Sequence, residues 1–169
     1  MKHVMTASGC ALLLAACATA EPDGPSAVAV IRPASGSQVH GEAKFTQVGN
    51  RVRVTAEIAG LSPGAHGFHI HEKGDCSAAD GMSTGGHFNP QAKKHGAPTA
   101  AERHAGDLGN LNADEYGKAT IALMVDGISV GKGADGVIGR GVIVHANADD
   151  LKTDPTGNAG GRYGCGVIE

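Results

Sequence analysis

The sequence of 169 residues contains no tryptophan, and phenylalanine and tyrosine together make up only 3% of it. Its core must therefore be built from small aliphatic side chains, and the chain is long enough to bury a sizeable core in a single domain. Lysine and arginine number 14 against 17 acidic residues, for a net charge of −3. Without a basic stripe to follow a phosphate backbone, no nucleic-acid partner is expected.

Two residue types are unusually frequent: glycine, with 27 copies, and histidine, with nine. The histidines are spread along the chain and form no tract of the kind used as a purification tag. Nine histidines are an unusually large number beside only 14 lysines and arginines, and this proportion calls for a chemical explanation.

The first 16 residues have the organisation of an export signal. A basic start at Lys2 and His3 precedes an apolar run over residues 11–16 that is too short to span a bilayer. The run ends in Leu14-Ala15-Ala16-Cys17, which resembles the lipobox of bacterial lipoproteins, where cleavage precedes a cysteine that is then lipidated. A plain secretory cleavage site is the alternative.

We therefore predict a signal peptide over residues 1–16, followed over residues 17–26 by a lipidated N-terminus and a flexible tether. Pro22, Gly24 and Pro25 in that stretch, with no apolar periodicity, favour a tether. The folded domain is expected over residues 27–169. Export and lipidation at Cys17 predict a periplasmic protein anchored to a bacterial membrane.

Four cysteines are present, and the export signal accounts for two of them. Cys10 leaves with the signal and Cys17 takes the lipid, so Cys76 and Cys165 remain. An exported compartment is oxidising, and these two are predicted to form a disulfide. The alternative of a nucleophilic cysteine has no supporting motif.

From residue 27 onward the apolar residues recur with the period of two that is typical of β-strands. The clearest case is residues 51–59, where four aliphatic side chains alternate with polar ones. Eight strands are predicted, over residues 27–32, 38–47, 51–59, 65–72, 108–112, 118–125, 141–146 and 163–168.

Two long stretches without periodicity, residues 73–106 and 147–161, interrupt the strands, and loops of this length are usually functional. The predicted fold class is all-β, an eight-stranded antiparallel Greek-key barrel or sandwich, immunoglobulin-like in organisation, with two long functional loops.

Strand alternation sorts the first group of histidines by face. Phe68 and Ile70 fall on one face of their strand, and His69 and His71 fall on the other. Because the apolar pair must face the core, the two imidazoles project side by side, at the spacing of two ligands of one metal.

Two other histidines are predicted to be structural. His66 shares the face of Phe68, so it is expected to be a hydrogen-bonded interior residue. His40 lies on the polar face of its strand and is expected to be exposed to solvent.

Further candidate ligands occur in or beside the long loops: His87, His95, His104, His145 and the nearby Asp107. With His69 and His71 they exceed the needs of one tetrahedral zinc ion. Four imidazoles suit Cu(II), whereas three imidazoles and a carboxylate suit Zn²⁺. Two metals sharing one imidazolate would use every ligand. The alternative is a single closed zinc site that holds the long loop, with the remaining histidines incidental.

The motifs around these residues are long and ordered. They are His69-Ile70-His71-Glu72, Gly-Gly-His-Phe-Asn-Pro at 85–90, His95-Gly96, His-Ala-Gly-Asp-Leu-Gly at 104–109, Gly-Asn-Ala-Gly-Gly-Arg at 157–162 and Cys165-Gly166-Val167-Ile168. Together they resemble the copper-zinc superoxide dismutase family across nearly the whole mature domain. The resemblance implies a Greek-key β-barrel with one copper and one zinc per chain.

The resemblance also implies a role for each matching residue. Copper would be held by His69, His71, His87 and His145, and zinc by His87, His95, His104 and Asp107. His87 and Arg162 would be catalytic, the first as the shared imidazole that carries a proton, the second as the cation that attracts superoxide. Asp149 would hydrogen-bond one ligand of each metal, and Cys76 and Cys165 match the family disulfide.

The activity so implied is dismutation of superoxide to dioxygen and hydrogen peroxide by a one-electron copper cycle, which would protect the cell envelope from oxidative damage. The alternative is a superoxide-dismutase-like protein that binds copper and zinc without turnover. A homodimer is a possible assembly, although Cys76 follows His71 unusually closely, which weakens transfer of the eukaryotic dimer interface.

The sequence departs from the eukaryotic members in the segment 149–157, which is shorter and lacks the residues that steer substrate there. Four lysines are candidates to replace that guidance: Lys73, Lys93, Lys94 and Lys152.

Overall fold

The structure, a computed structural model, describes residues 22–169. The predicted signal peptide over residues 1–16 and the predicted lipidation site at Cys17 lie outside the described residues. Among residues 22–169, helices with the length and apolar character needed to span a membrane are absent.

Eight strands and one 3-10 turn make up the regular structure. The strands are β1 (Asp23–Pro33), β2 (His40–Val48), β3 (Arg51–Ala59), β4 (Gly64–His71), β5 (Asp107–Ala113), β6 (Ala119–Val125), β7 (Gly141–His145) and β8 (Arg162–Val167), and the turn is η1 (Met82–Thr84). Each of the eight predicted strands is present, and the predicted all-β class is confirmed.

The strands form a nearly closed antiparallel barrel in the order β5-β4-β7-β8-β1-β2-β3-β6. The two end strands, β5 and β6, contact each other across the remaining opening. Because β3 pairs with β6 and β4 pairs with β7, the β3–β4 and β6–β7 connections cross the barrel ends in a Greek-key arrangement. This topology places β4 and β7 side by side.

Strand β1 belongs to both halves of the barrel. Its first part pairs with β2, and its last two residues, Arg32 and Pro33, pair with β8. It begins at Asp23 rather than at residue 27, so residues 23–26, expected in the tether, are part of the strand. A register shift separates Asp23 from Ser26 there, and all four residues are exposed. Such a stretch carries no apolar alternation, which is why the pattern did not reveal it.

The core lies between the two halves of the barrel and is aliphatic, as the composition predicts. On β3 the four alternating residues Val52, Val54, Ala56 and Ile58 are all buried. Phe45 and Phe68 are completely buried and supply the largest core side chains. With Phe88, which is also buried, the interior is therefore filled by small aliphatic residues packed around three rings.

A third long connection, residues 126–140, joins β6 to β7 and was not predicted as a loop. Arg140 fastens it to the region of β4: its guanidinium carbon lies 3.5 Å from the centre of the Phe88 ring, and Nη1 donates to the Glu72 carbonyl at 3.0 Å. The buried side chains of Ile128 and Val137 join the core. Because this connection contains apolar residues, its sequence does not stand out as a polar loop.

The predicted disulfide between Cys76 and Cys165 is confirmed, with the two Cα atoms 5.9 Å apart and a sequence separation of 89 residues. It connects the first loop, residues 72–106 between β4 and β5, to strand β8. A cross-link that closes a loop of this length contributes about 4 kcal/mol in the chain-entropy model. The second loop, residues 146–161, joins β7 to β8.

Candidate metal centre

The outer face of β4 presents the first two imidazoles. Phe68 and Ile70 point into the core, and His69 and His71 point to the opposite face, as the alternation predicts. Both imidazoles are nevertheless almost completely buried, at 0% and 1% exposure. The first and second loops fold over this face, so the predicted face is correct but it is not open to solvent.

Four histidines form one cluster above this face, which we call the first cluster: His69, His71, His87 and His145, with candidate ligand atoms all within 4.8 Å of one another. His145 comes from β7, the strand next to β4. His87 comes from the first loop, where a backbone bridge pairs it with His71. The site is therefore built on two paired strands and one pinned loop.

One ring nitrogen of each histidine in the first cluster is buried without a hydrogen-bond partner: Nδ1 of His69 and Nε2 of His71, His87 and His145. A single buried unsatisfied nitrogen is already costly, and four at one point are hard to sustain in a folded protein. A cation that accepts four lone pairs removes this cost. The residues thus fit a metal ion.

The opposite nitrogens of three of these rings are held in place by acceptors. His71 Nδ1 donates to the Gly85 carbonyl at 3.0 Å, and His145 Nδ1 donates to the Gly160 carbonyl at 3.2 Å. His69 Nε2 donates to a carboxylate at 2.8 Å. A proton fixed on one nitrogen leaves the lone pair on the other, so the tautomers suit metal binding.

The second cluster consists of His87, His95, His104 and Asp107. Asp107 Oδ1 lies 2.9 Å from His87 Nδ1, 3.1 Å from His95 Nδ1 and 3.3 Å from His104 Nδ1, and the Nδ1 atoms of His87 and His104 are 3.3 Å apart. Zinc binds imidazole nitrogen at about 2.0 to 2.1 Å, for which the edge of a ligand tetrahedron is about 3.3 Å. The spacing fits a tetrahedral ion.

His87 belongs to both clusters, since its Nδ1 faces the second and its orphaned Nε2 faces the first. Asp149, which is 4% exposed, is a second connection. Its Oδ2 accepts from His69 Nε2 at 2.8 Å and its Oδ1 accepts from His95 Nε2 at 2.9 Å. Asn110 anchors Asp149, because its Oδ1 accepts the Asp149 N–H and its Nδ2 donates to the Asp149 carbonyl.

Burial sets the charge state of three rings of the first cluster. It lowers the pKa of His69 to about 4 and that of His145 to about 3, and it holds the pKa of His71 well below its usual value. Neighbouring imidazoles add to the effect in each case. At neutral pH these rings are uncharged and their lone pairs are free.

The second cluster is electrostatically different. Burial opposes the charged form of His95, but hydrogen bonds to Asp107 and Asp149 outweigh it and raise the His95 pKa to about 10. Burial would raise the pKa of Asp107, yet hydrogen bonds from His104, His87 and His95 hold it far below its usual range. Both shifts reflect the negative potential of Asp107 and Asp149, which stabilises a positive charge at this point, whether a proton on His95 or a divalent cation in its place.

A cavity of about 390 Å³ opens above the first cluster, and Arg162 lines it together with His71, His87 and His145. The guanidinium is fixed in place: Nη1 donates to the Gly81 carbonyl at 2.9 Å and to Thr84 Oγ1 at 2.7 Å, and Nη2 donates to the Gly85 carbonyl at 2.8 Å. An anion that enters this cavity meets a positioned cation beside the imidazoles.

None of the four candidate steering lysines in the described part of the chain lines this cavity. Lys93 lines a separate cavity and donates from Nζ to the Ala101 carbonyl at 3.0 Å. Arg162 is thus the cationic side chain that the described residues place at the first cluster.

The two histidines predicted to be structural are where the sequence places them. His66 is 2% exposed and hydrogen-bonds the carbonyls of His145 and Ser62, each at 2.9 Å. His40 is exposed. His66 therefore supports the strand that carries His145.

Sequence reasoning missed the partners that hold the ligands. Two are the backbone carbonyls of Gly85 and Gly160, which have no signature in residue type. Thr84, which holds Arg162, and Asp154, which accepts the N–H of His95 at 2.8 Å, were also missed. An acidic residue within the second loop was the only available signal for Asp154.

The family model described as copper/zinc superoxide dismutase (SODC) matches residues 39–168. That range includes both clusters, Arg162 and the two disulfide cysteines. Among solved structures, the chain is similar to one titled as a crystal structure analysis of the clock protein EA4. The two are 48% identical with a TM-score of 0.76, over 85% of this chain and 92% of that one.

Proposed function

Because the chain belongs to the copper/zinc superoxide dismutase family, whose members bind copper and zinc, we propose that it converts superoxide to dioxygen and hydrogen peroxide. The observation that carries the proposal is the set of four buried, unpartnered imidazole nitrogens beneath a cavity that Arg162 lines. The balanced reaction consumes two superoxide anions and two protons for each dioxygen and peroxide formed.

We assign one copper ion per chain to His69, His71, His87 and His145, and one zinc ion to His87, His95, His104 and Asp107. Neutral imidazoles suit copper, and three imidazoles with one carboxylate suit tetrahedral zinc. When bound, copper supplies one-electron redox chemistry, accepting an electron from one superoxide and returning it to a second. Zinc is redox-inactive and would order the first loop.

The protein's own side chains attract the substrate and manage protons. Arg162 offers a fixed positive charge to an anion in a molecule whose net charge is −3, so attraction must be local. Its three hydrogen bonds hold the guanidinium still, which lets it orient the anion rather than only attract it. When its Nε2 is not bound to copper, His87 would hold a proton at that nitrogen, because its Nδ1 is engaged in the second cluster.

The proposal is tested on the full chain loaded with copper and zinc, with both metals counted and superoxide decay followed by stopped flow. We expect His145→Ala to lower the rate on the order of 100-fold or more while zinc is retained, because one copper ligand is lost and the second cluster is untouched. His40→Ala, which removes an exposed histidine outside both clusters, should leave the rate unchanged. A fully loaded protein that leaves superoxide at its spontaneous decay rate would instead be a metal carrier.

We also propose that the protein is exported, cleaved before Cys17 and held by lipid at that residue, so that it acts in the periplasm and protects the cell envelope. The Cys76–Cys165 disulfide supports an oxidising compartment. Cys17→Ser should move the protein from the membrane to the soluble fraction, whereas Cys10→Ser, within the proposed signal, should not. Unaltered membrane partition of Cys17→Ser would contradict the anchor.

A further inference from the structure

Metal-binding histidines usually donate their second ring N–H to an acceptor, which fixes the tautomer and the ring. Each ring nitrogen of His87 faces one of the two clusters, so neither is left for an outside acceptor. Four other histidines have a hydrogen-bond acceptor outside the clusters within 3.2 Å of the second ring nitrogen: His69, His71, His95 and His145. His104 is the exception. Its Nδ1 faces the second cluster, and among residues 22–169 its Nε2 forms no hydrogen bond.

The nearest charged partner of that nitrogen is a carboxylate of the second loop. Asp154 Oδ1 lies 3.6 Å from His104 Nε2, beyond a hydrogen bond but within ion-pair distance. The same oxygen accepts the backbone N–H of His95 at 2.8 Å. One carboxylate oxygen therefore faces two of the four members of the second cluster.

The placement of Asp154 differs from that of its acidic neighbour in the loop. The Asp150 carboxylate accepts hydrogen bonds from Thr153, Lys152 and Asn158, all within the second loop itself. The Asp154 carboxylate instead reaches across to the first loop. Asp150 organises its own loop, whereas Asp154 joins the two loops at the second cluster.

We propose that Asp154 is a positioning residue for the second cluster: its carboxylate holds the His104 ring and the His95 backbone, and so raises the affinity of the cluster for zinc. A cation on His104 Nδ1 leaves the ring proton on Nε2, and a shift of less than 1 Å brings that proton into hydrogen-bond range of Asp154. This inference depends on the proposed function in one respect only, that the ion bound by the second cluster is zinc.

The test measures zinc affinity of the full chain by competition with a chelator, with zinc alone as the probe. We expect Asp154→Ala to weaken zinc binding about 10- to 100-fold, the range for loss of an outer partner of a ligand. Asp154→Asn, which keeps an acceptor oxygen but loses the charge, should fall between that variant and the unaltered protein. Asp150→Asn is the matched control and should stay within about twofold.

A spectroscopic readout separates positioning from general loop stability. With Co²⁺ in place of zinc, the visible absorption bands should shift in Asp154→Ala and remain unchanged in Asp150→Asn. Zinc binding by Asp154→Ala as tight as that of the unaltered protein, or equal weakening by Asp150→Asn, overturns the proposal. Asp154→Asn gives the same decision should the alanine variant fail to fold.

Neither readout depends on superoxide turnover. Failure of the dismutase proposal would leave the loaded chain inactive, with the zinc affinities of the Asp154 variants still different. Failure of the Asp154 proposal would leave those affinities equal in an active enzyme.

Discussion

Replacing Gly157 by alanine will disrupt the carboxylate bridge between the two clusters. A Cβ at this position would overlap Asp149 Oδ1 and lie 2.6 Å from His95 Nε2, on a backbone with φ of 61°. The bridge must open or the second loop must move, because the Asp149 carboxylate and the His95 ring are buried and hydrogen-bonded to each other. We expect the free energy of unfolding to fall by about 3 kcal/mol and zinc to be lost to a chelator at least tenfold faster.

The matched control for this variant is Gly127→Ala. Gly127 has a similar φ of 73°, but a Cβ there would have no atom within 4 Å. It therefore reports backbone strain alone, about 1 kcal/mol, with no change in zinc release. Equal effects of the two substitutions on zinc release would show that the bridge is not what retains the ion.

Removing the charge of Arg162 is expected to have the largest effect on rate without loss of metal. In Arg162→Ala the second-order rate with superoxide should fall about 10- to 100-fold at low salt, and the rate should no longer slow as salt is added. Arg162→Lys keeps the charge, but its single nitrogen cannot replace the two guanidinium nitrogens that reach three separate acceptors, so its rate should be intermediate. Stopped-flow decay at two ionic strengths, with copper and zinc counted, measures both effects.

Lys152→Ala is the control for long-range guidance. Lys152 belongs to the second loop but does not line the cavity above the first cluster. Its loss should change the rate by less than about twofold, since an exposed charge away from the cavity is screened. If both variants slow the reaction equally, guidance is spread over the surface and Arg162 has no special part in it.

The strands were predictable wherever one face is buried and the other is polar. Residues 51–59 are the best case, because the predicted bounds and the observed bounds of β3 coincide. The alternation of apolar and polar residues was uninformative for two stretches of the chain. Residues 23–26 are exposed on every side. The 126–140 connection was correctly left outside the predicted strands, but it was not recognised as a third long loop because some of its side chains are apolar and buried.

The site was predictable at the level of side chains and not at the level of their supports. Histidines at His69 and His71 share a face by alternation alone, and the remaining candidate ligands stand out by residue type. Most of the hydrogen-bond acceptors that orient these ligands could not be predicted. A carbonyl such as that of Gly85 exists at every position, and the contact of Asp154 with His95 depends on the path of two loops that no periodicity describes.

The Greek-key strand order has a consequence for the sequence of assembly. The proposed zinc ligands all fall within residues 87–107, a short segment that can close on an ion at small entropic cost. The proposed copper ligands include residues of β4 and β7, which become neighbours only when distant parts of the chain have paired. The proposed zinc ligands can therefore be brought together before the barrel closes, whereas the proposed copper ligands come together only once β4 and β7 have paired.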